Sequence, residues 1–135
     1  MSRSGYTDDC DNNWAHICWR GAVKSATRGK RGQSFFKELL AALDAMSVKR
    51  LIVNKLEFEG EFCTLGVLGN ARGLDMSEIE PEEPDQVAKG FNIAEALAQE
   101  VVYMNDEGTY FIEEPEERWR RMRRWVSDQI TIINP

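Results

Sequence analysis

The fold class of this chain is decided by residues 51–65, which read LIVNKLEFEGEFCTL. β-Branched residues and partial alternation over residues 51–58 predict a strand, Glu59-Gly60 supplies a turn, and residues 61–65 predict a returning strand. A lone hairpin is only marginally stable in water, so this one must pack on other elements. The flanking segments carry helical periodicity. We therefore predict a mostly helical α+β fold with a small antiparallel β-hairpin.

Two helices are predicted before the hairpin, over about residues 14–28 and 34–46. Residues 29–32, which read Gly-Lys-Arg-Gly, are expected to break the chain between them. Both segments space apolar residues three and four apart, as one buried helix face requires. The apolar stripe expected on the first helix comprises Trp14, Ile17, Cys18 and Ala22, with Val23 and Ala26 beside it.

Three helices are predicted after the hairpin, over about residues 82–91, 93–104 and 115–130. The last has the clearest pattern, because a proline suits its first position and the surrounding glutamates suit a helix N-terminus. Residues 105–108 are expected to stop the helix before it, and residues 109–112 to form a short strand. Residues 66–73 contain three glycines and predict either a tight backbone approach or a short helix with a glycine end.

The spacing of apolar residues between positions 86 and 101 matches a helix-turn-helix. The helix in the recognition position presents Glu95, Gln99 and Glu100 without any Lys or Arg, so DNA phosphates would repel it. We therefore expect this helix pair to dock on a basic protein surface rather than to read DNA. The positions expected to be buried are Val87, Ala88, Phe91, Ile93, Ala98 and Val101, with Asn92 in the turn.

Length and composition predict one domain over residues 1–135, with residues 1–13 as a loop. Apolar residues make up 42% of the chain, which is too many for a disordered protein. No apolar run approaches the about 20 residues that cross a bilayer, and the N-terminus lacks a signal-peptide pattern. We therefore expect no membrane partner. The three cysteines are an odd number, so we expect reduced thiols and a cytoplasmic location.

Charge is segregated along the chain. Residues 1–50 carry nine Lys and Arg against five acids, and residues 115–135 carry five Arg against three acids. Residues 51–114 carry three Lys and Arg against fifteen acids, a net charge of −12. Two basic ends therefore flank an acidic middle, which bears on steering and partner choice rather than on a reaction.

Candidate chemical sites are weak. Cys10, His16, Cys18 and Cys63 form the soft-ligand set, but His16 and Cys18 point about 200° apart on a helix, so no metal site is predicted. The acids around Asp106 lack the spacing of a calcium loop. The Gly66–Gly73 stretch lacks the Lys-Ser/Thr of a phosphate-binding loop. We predict no cofactor and no enzymatic activity, and we keep a small nucleotide signal bound at the glycines as an alternative.

Four segments of the sequence form a recognisable pattern: Trp19–Ala22, Cys63–Gly69, Tyr103–Glu107 and the helix containing residues 117–126. They resemble a group of short uncharacterised proteins common in tailed-phage genomes and bacterial prophages. The resemblance runs from about Ser4 to Ile130. It implies a phage-encoded accessory protein in the cytoplasm of a bacterial host, and brings no catalytic residues with it. Small acidic proteins of this kind include inhibitors of host defences such as anti-CRISPR proteins.

Two binding hypotheses follow from the charges, and both leave the oligomeric state open. In the first, the protein binds a host protein or defence complex stoichiometrically through an acidic face. In the alternative, the basic ends bind nucleic acid. The face in the first comprises Glu78, Glu80, Glu82, Glu83, Asp85, Glu95 and Glu100. The cations in the second are Arg20, Lys24, Arg28, Lys30, Arg31, Arg120, Arg121 and Arg124.

Overall fold

The computed structural model describes residue 3, residues 13–109 and residues 112–130. For residues 13–16 it describes the backbone but not the side chains. Over these residues it confirms a mostly helical α+β fold with one small antiparallel hairpin. The predicted N-terminal loop lies outside the described residues except for Arg3 and Asn13. The helices are α1 (Asn13–Arg28), α2 (Lys30–Asp44), α3 (Thr64–Arg72), α4 (Pro84–Phe91), α5 (Glu95–Glu107) and α6 (Pro115–Gln129), and the strands are β1 (Glu57–Phe58) and β2 (Glu61–Phe62).

Helix α2 lies at the centre of the fold and packs against α1, α3 and α6. It contributes Phe36, Leu39 and Leu43 to the core, all fully buried. The Phe36 ring meets Trp125 of α6 edge to face with the ring centroids 5.6 Å apart, a favoured aromatic geometry. Burying one such side chain contributes about 1.5–3 kcal/mol, so this face of α2 is a main source of cohesion.

The junction between α1 and α2 is shorter than the predicted four-residue break. Only Gly29 is non-helical, and α2 begins at Lys30 and ends at Asp44. Gly32 permits this arrangement, because a Cβ atom there would lie 1.9 Å from the carbonyl oxygen of Ala26. The missing side chain lets the first turn of α2 lie directly against the end of α1.

The predicted apolar stripe of α1 is wrong in the part that the structure describes. Ile17 is 59% exposed, and Cys18 and Ala22 are exposed as well. The buried face is centred on Val23, with Ala26 half-buried beside it. Helical periodicity tells which residues share a face, but the neighbouring helices α2 and α5 decide which face is covered. The side chain of Trp14 lies outside the described residues.

The hairpin forms where predicted but is shorter. β1 and β2 pair antiparallel around Glu59 and Gly60, which both have positive φ angles. Residues 51–56 form no strand, and the Leu51 N–H instead donates to the Pro115 carbonyl at 3.1 Å. The segment is thus tied to the start of α6, while the Ile52 N–H still donates to the Phe62 carbonyl of β2 at 2.9 Å without extending the sheet.

The end of the predicted second strand belongs to α3. Cys63 caps this helix, and its Sγ accepts a hydrogen bond from the Gly66 N–H at 3.4 Å. The helix ends at Arg72 and is capped by Gly73 in a left-handed conformation, which confirms a short helix with a glycine end. A Cβ atom at Gly66 would lie 1.9 Å from the Leu56 carbonyl oxygen, so the helix and the hairpin approach closely there.

The remaining elements follow the predicted order. All six positions predicted to be buried in α4, in α5 and in the turn between them are buried, and Asn92 in that turn has a φ angle of 57°. The predicted stop at residues 105–108 is wrong for residues 105–107, because α5 continues to Glu107, and is confirmed at Gly108, which ends the helix. Thr109 and Ile112 lie in no strand, and residues 110–111 lie outside the described part. Helix α6 ends one residue before the predicted end.

Candidate functional site

A buried polar network joins the start of α3 to the end of α5. The Asn105 Oδ1 accepts from the Thr64 backbone N–H at 3.0 Å and from the Thr64 hydroxyl at 2.7 Å. The Asn105 Nδ2 donates to the Ile52 carbonyl at 2.9 Å and to Asp106 Oδ1 at 2.8 Å. One amide therefore satisfies polar groups from three segments, which explains why a residue predicted to end a helix continues it.

Arg3 completes this network from the N-terminal side. Its Nε donates to Asp106 Oδ2 at 2.6 Å and its Nη2 to Oδ1 at 3.0 Å, and the side chain is almost fully buried. Burial alone would lower the pKa of Arg3, but nearby Cys63 and bonded Asp106 raise it above its ordinary value. Arg3 also lines a small cavity with Pro81 and Pro84, so it supports the segment before α4.

This network brings together two of the segments that carry the phage-protein resemblance. Thr64 belongs to the segment Cys63–Gly69, and Asn105 and Asp106 belong to Tyr103–Glu107. These polar side chains bind one another or Arg3 inside the fold. They hold the interior together and offer no open site. Sequence reasoning missed this role, because Thr64 and Asn105 are 41 residues apart.

Glu100, predicted for the acidic binding face, is instead buried on α5. The Arg20 Nη1 donates to both of its carboxylate oxygens, each at 3.0 Å. This pair corrects both hypotheses, because Glu100 is not available at the surface and Arg20 is already engaged by a carboxylate.

Arg121, predicted to bind nucleic acid, is used inside the fold. It makes a two-point contact with the Glu113 carboxylate, at 2.7 and 2.9 Å, and donates to the carbonyls of Met104 and Asn105 near the end of α5. It therefore caps that helix.

Arg118, on the same helix, also binds within the fold. It donates to the Leu51 carbonyl and pairs with Glu113. Burial lowers the pKa of Arg118, with the Glu113 carboxylate opposing that effect and Arg121 adding to it.

Arg120 and Arg124 remain exposed and have no ion-pair partner within the described residues. They stand one turn apart on the exposed side of α6. Glu116 precedes and Asp128 follows them at the same four-residue spacing. Glu116 pairs with Arg50 at 3.3 Å, so of these two acids Asp128 is the one left to offset the positive charge of the stripe.

Five of the predicted acidic residues form a continuous exposed surface before and at the start of α4. The chain from residue 73 to residue 88 has six acids and no Lys or Arg. None of the five pairs with a cation among the residues described. We call Glu78, Glu80, Glu82, Glu83 and Asp85 the acidic surface.

The backbone under the acidic surface is fixed by local structure. A 3-10 helix, Met76–Glu78, begins it, and the Glu80 N–H donates to Gln86 Oε1 at 3.3 Å. Glu78 and Glu80 line a cavity of about 410 Å³ that Glu57 also borders. Glu95 is exposed in the first turn of α5, apart from this segment. The predicted set of seven thus becomes a group of five with one separate member and one buried member.

Four of the predicted basic residues cluster where α1 meets α2. We call Lys24, Arg28, Lys30 and Arg31 the basic corner. All four are exposed, and none has an ion-pair partner in the described part of the chain. The sequence from residue 12 to residue 37 contains no acid. Lys30 and Arg31 border a cavity of about 220 Å³ whose far wall includes Ile93 and Ala94.

The glycine stretch does not form the open loop that a phosphate group needs. Gly66 and Gly69 are buried in α3. The space beside them is filled by the Leu56 carbonyl and by the Met76 side chain. A nucleotide bound at these glycines, the third hypothesis, therefore lacks an accessible cradle here.

The thiols and acids also fail to converge. Cys18 is an exposed free thiol and Cys63 a buried one, while Cys10 and the His16 side chain lie outside the described residues. Within that described part, no group of three or more His, Cys, Asp or Glu side chains can hold a metal ion. None of the described helices combines the length and apolar character needed to span a bilayer.

Comparison with protein-family models, curated proteins and solved structures finds no match to this chain. The function must therefore be argued from the surfaces themselves.

Proposed function

We propose that this chain is a non-enzymatic binding protein that docks its acidic surface on a basic surface of a partner protein. One contrast in charge pairing carries the proposal. The described arginines that pair with carboxylates lie throughout the fold, yet none of them pairs with the acidic surface. Lys55, which lines the same cavity as Glu78 and Glu80, and Lys89, one helical turn after Asp85, form no ion pair with it either. The paired arginines are Arg3, Arg20, Arg50, Arg72, Arg118, Arg121 and Arg123.

Like charges concentrated on one segment repel one another and lower the stability of the folded state. A chain selected only for stability would place some of its arginines beside these acids. The same charges attract a basic partner over a distance and increase the rate of encounter. The arrangement therefore favours binding over stability.

The resemblance to phage accessory proteins supports a particular setting. In that setting the partner is a bacterial host protein, such as a defence complex of the CRISPR kind, and the protein acts in the host cytoplasm as an inhibitor. Defence nucleases bind nucleic acid through positively charged grooves. An acidic surface can occupy such a groove in place of the phosphates.

The experiment is affinity capture from a phage-infected bacterial host, followed by mass spectrometry and by direct binding to each purified candidate. The test variant is E78Q/E80Q/E82Q/E83Q. The control, E59Q/E114Q/E117Q/D128N, removes the same charge from exposed acids elsewhere.

We expect the test variant to lose the partner, the control to keep it, and wild-type binding to weaken as salt rises. Equal capture by all three proteins would overturn the proposal. A partner lost equally with both variants would overturn it as well, because net charge rather than this surface would then be responsible.

A further inference from the structure

We infer that the basic corner binds the phosphate backbone of double-stranded nucleic acid without reading its sequence. The basic corner shares no residue with the acidic surface, so this inference goes beyond the proposed function. Its four cations, Lys24, Arg28, Lys30 and Arg31, lie within eight positions of the chain and are all exposed.

The junction between α1 and α2 holds these cations at one place. Lys24 and Arg28 stand one helical turn apart on α1. Gly29 is the only non-helical residue before Lys30, and Gly32 packs the first turn of α2 against Ala26. The cations therefore sit on a rigid backbone, which reduces the entropy lost when they bind a ligand.

The helix ends add little to the potential at this place. The C-terminal end of α1 and the N-terminal end of α2 meet here, and their dipoles have opposite signs. The four cations therefore define the surface by themselves.

The other exposed cations differ in their surroundings. Arg120 and Arg124 on α6 lie between Glu116 and Asp128 on the same exposed stripe. The basic corner has no acid within its own stretch of sequence, residues 12–37, and none of its four cations forms an ion pair in the described part of the chain. A polyanion therefore meets four unpaired cations there.

The side chains around the corner favour a duplex backbone over bases. Single strands are bound by stacking on exposed aromatic rings, but Phe35 and Phe36 of α2 are buried. Adenine is read by Asn or Gln, whereas Arg and Lys contact guanine and phosphates alike. Gln33, in the first turns of α2, is buried and donates to the carbonyls of Thr27 and Gln129, so it does not read adenine. The charged side chains exposed at the corner are all cations, which suit phosphate contacts.

The test is fluorescence anisotropy with a labelled DNA duplex of mixed sequence at several salt concentrations. We expect binding at low salt that falls with a log–log slope of about −3 to −4, as four phosphate contacts require. The variant R28Q/R31Q should reduce the slope by about two. The matched variant R120Q/R124Q, with the same charge change, should bind like the wild type.

Three results would overturn the inference: no binding at low salt, equal loss with both variants, or tighter binding of single strands than of the duplex. Preference for polyglutamate over the duplex would overturn it too and would identify the corner as a docking site for acidic proteins. Thermal melting checks that each variant is folded. The acid variant E78Q/E80Q/E82Q/E83Q should keep duplex binding, so failure of either proposal can be told from failure of the other.

Discussion

Arg20 of α1 donates through one nitrogen to both carboxylate oxygens of Glu100 on α5, each at 3.0 Å. The sequence pattern assigns these residues to two different binding surfaces, and the fold removes one from each. The Glu100 side chain is 8% exposed and that of Arg20 is 50% exposed. The contact therefore joins two helices at the edge of the core, with one partner still reached by solvent.

The first prediction concerns this pair. Replacement of Arg20 by Met leaves the buried Glu100 carboxylate without its cation. Because solvent reaches Arg20, we expect a loss of about 1–2 kcal/mol in the free energy of unfolding, less than for a fully buried pair. Urea denaturation measures it.

Lys24→Met is the matched control, because Lys24 is exposed on the same helix and unpaired among the described residues. We expect it to change stability by no more than about 0.5 kcal/mol. If both variants lose the same stability, the ion pair has no specific role. A double-mutant cycle with Glu100→Gln isolates the coupling between the two side chains.

The second prediction concerns Asn105. Asn105→Leu leaves the Thr64 N–H and hydroxyl and the Ile52 carbonyl without their partner. Each unsatisfied buried group costs about 1–3 kcal/mol, so for three groups we expect a total loss of at least about 3 kcal/mol. Urea denaturation of the variant beside the wild type gives the value.

Thr64→Val provides the comparison. It removes the hydroxyl but keeps the backbone N–H that also donates to Asn105. The expected loss is about 1 kcal/mol. A larger loss from Thr64→Val than from Asn105→Leu would show that the amide is not the centre of the network.

Local pattern predicted a large part of this fold. Helix α6 and the six buried positions of α4 and α5 follow from apolar spacing, a proline at the first helical position and one turn residue. The covered face of α1 did not follow, because Ile17 and Val23 are both apolar and only packing against α2 and α5 distinguishes them. The extension of α5 through Asn105 depends on Thr64, far away in sequence.

The candidate sites also divide into features that local sequence predicts and features that depend on the complete fold. The acidic surface was predictable because six acids and two prolines in a short connector resist burial. The exposure of Lys24 and Arg28 likewise follows from a basic stripe on one helix. The burial of Glu100 and the use of Arg121 as a cap were not predictable, since each depends on a partner brought near only by the complete fold.

The third prediction uses two glycines. A Cβ atom at Gly32 would lie 1.9 Å from the Ala26 carbonyl oxygen, whereas one at Gly21 would meet nothing within 4 Å. Gly32→Ala should therefore push α2 away from α1 and cost more than about 2 kcal/mol. Gly21→Ala should stabilise α1 by about 0.5–1 kcal/mol. Thermal melts compare them, and an equal effect at both positions would contradict the close packing.

The fourth prediction concerns two ion pairs on the surface. Arg72 donates to both oxygens of Glu38, at 2.7 and 2.8 Å, and Arg123 to both oxygens of Asp44, at 2.6 and 3.1 Å. These hydrogen bonds hold the pKa of Glu38 below its ordinary value of 4.5 and that of Asp44 below 3.8. The same contacts raise the pKa of Arg72 and of Arg123.

Because both carboxyl groups have a lower pKa in the folded than in the unfolded state, the unfolded state binds protons first as the pH falls. Their stabilisation is therefore complete above their ordinary values and is lost as the pH falls through the folded ones. We expect Glu38→Gln/Asp44→Asn to be less stable than the wild type at neutral pH and to approach it at the acid end of a series of urea titrations. The control Glu57→Gln/Glu59→Gln, at exposed acids without an arginine partner in the described part of the chain, should keep the wild-type pH dependence. A constant difference between the test variant and the wild type at every pH would mean that the two pairs do not stabilise the fold through charge.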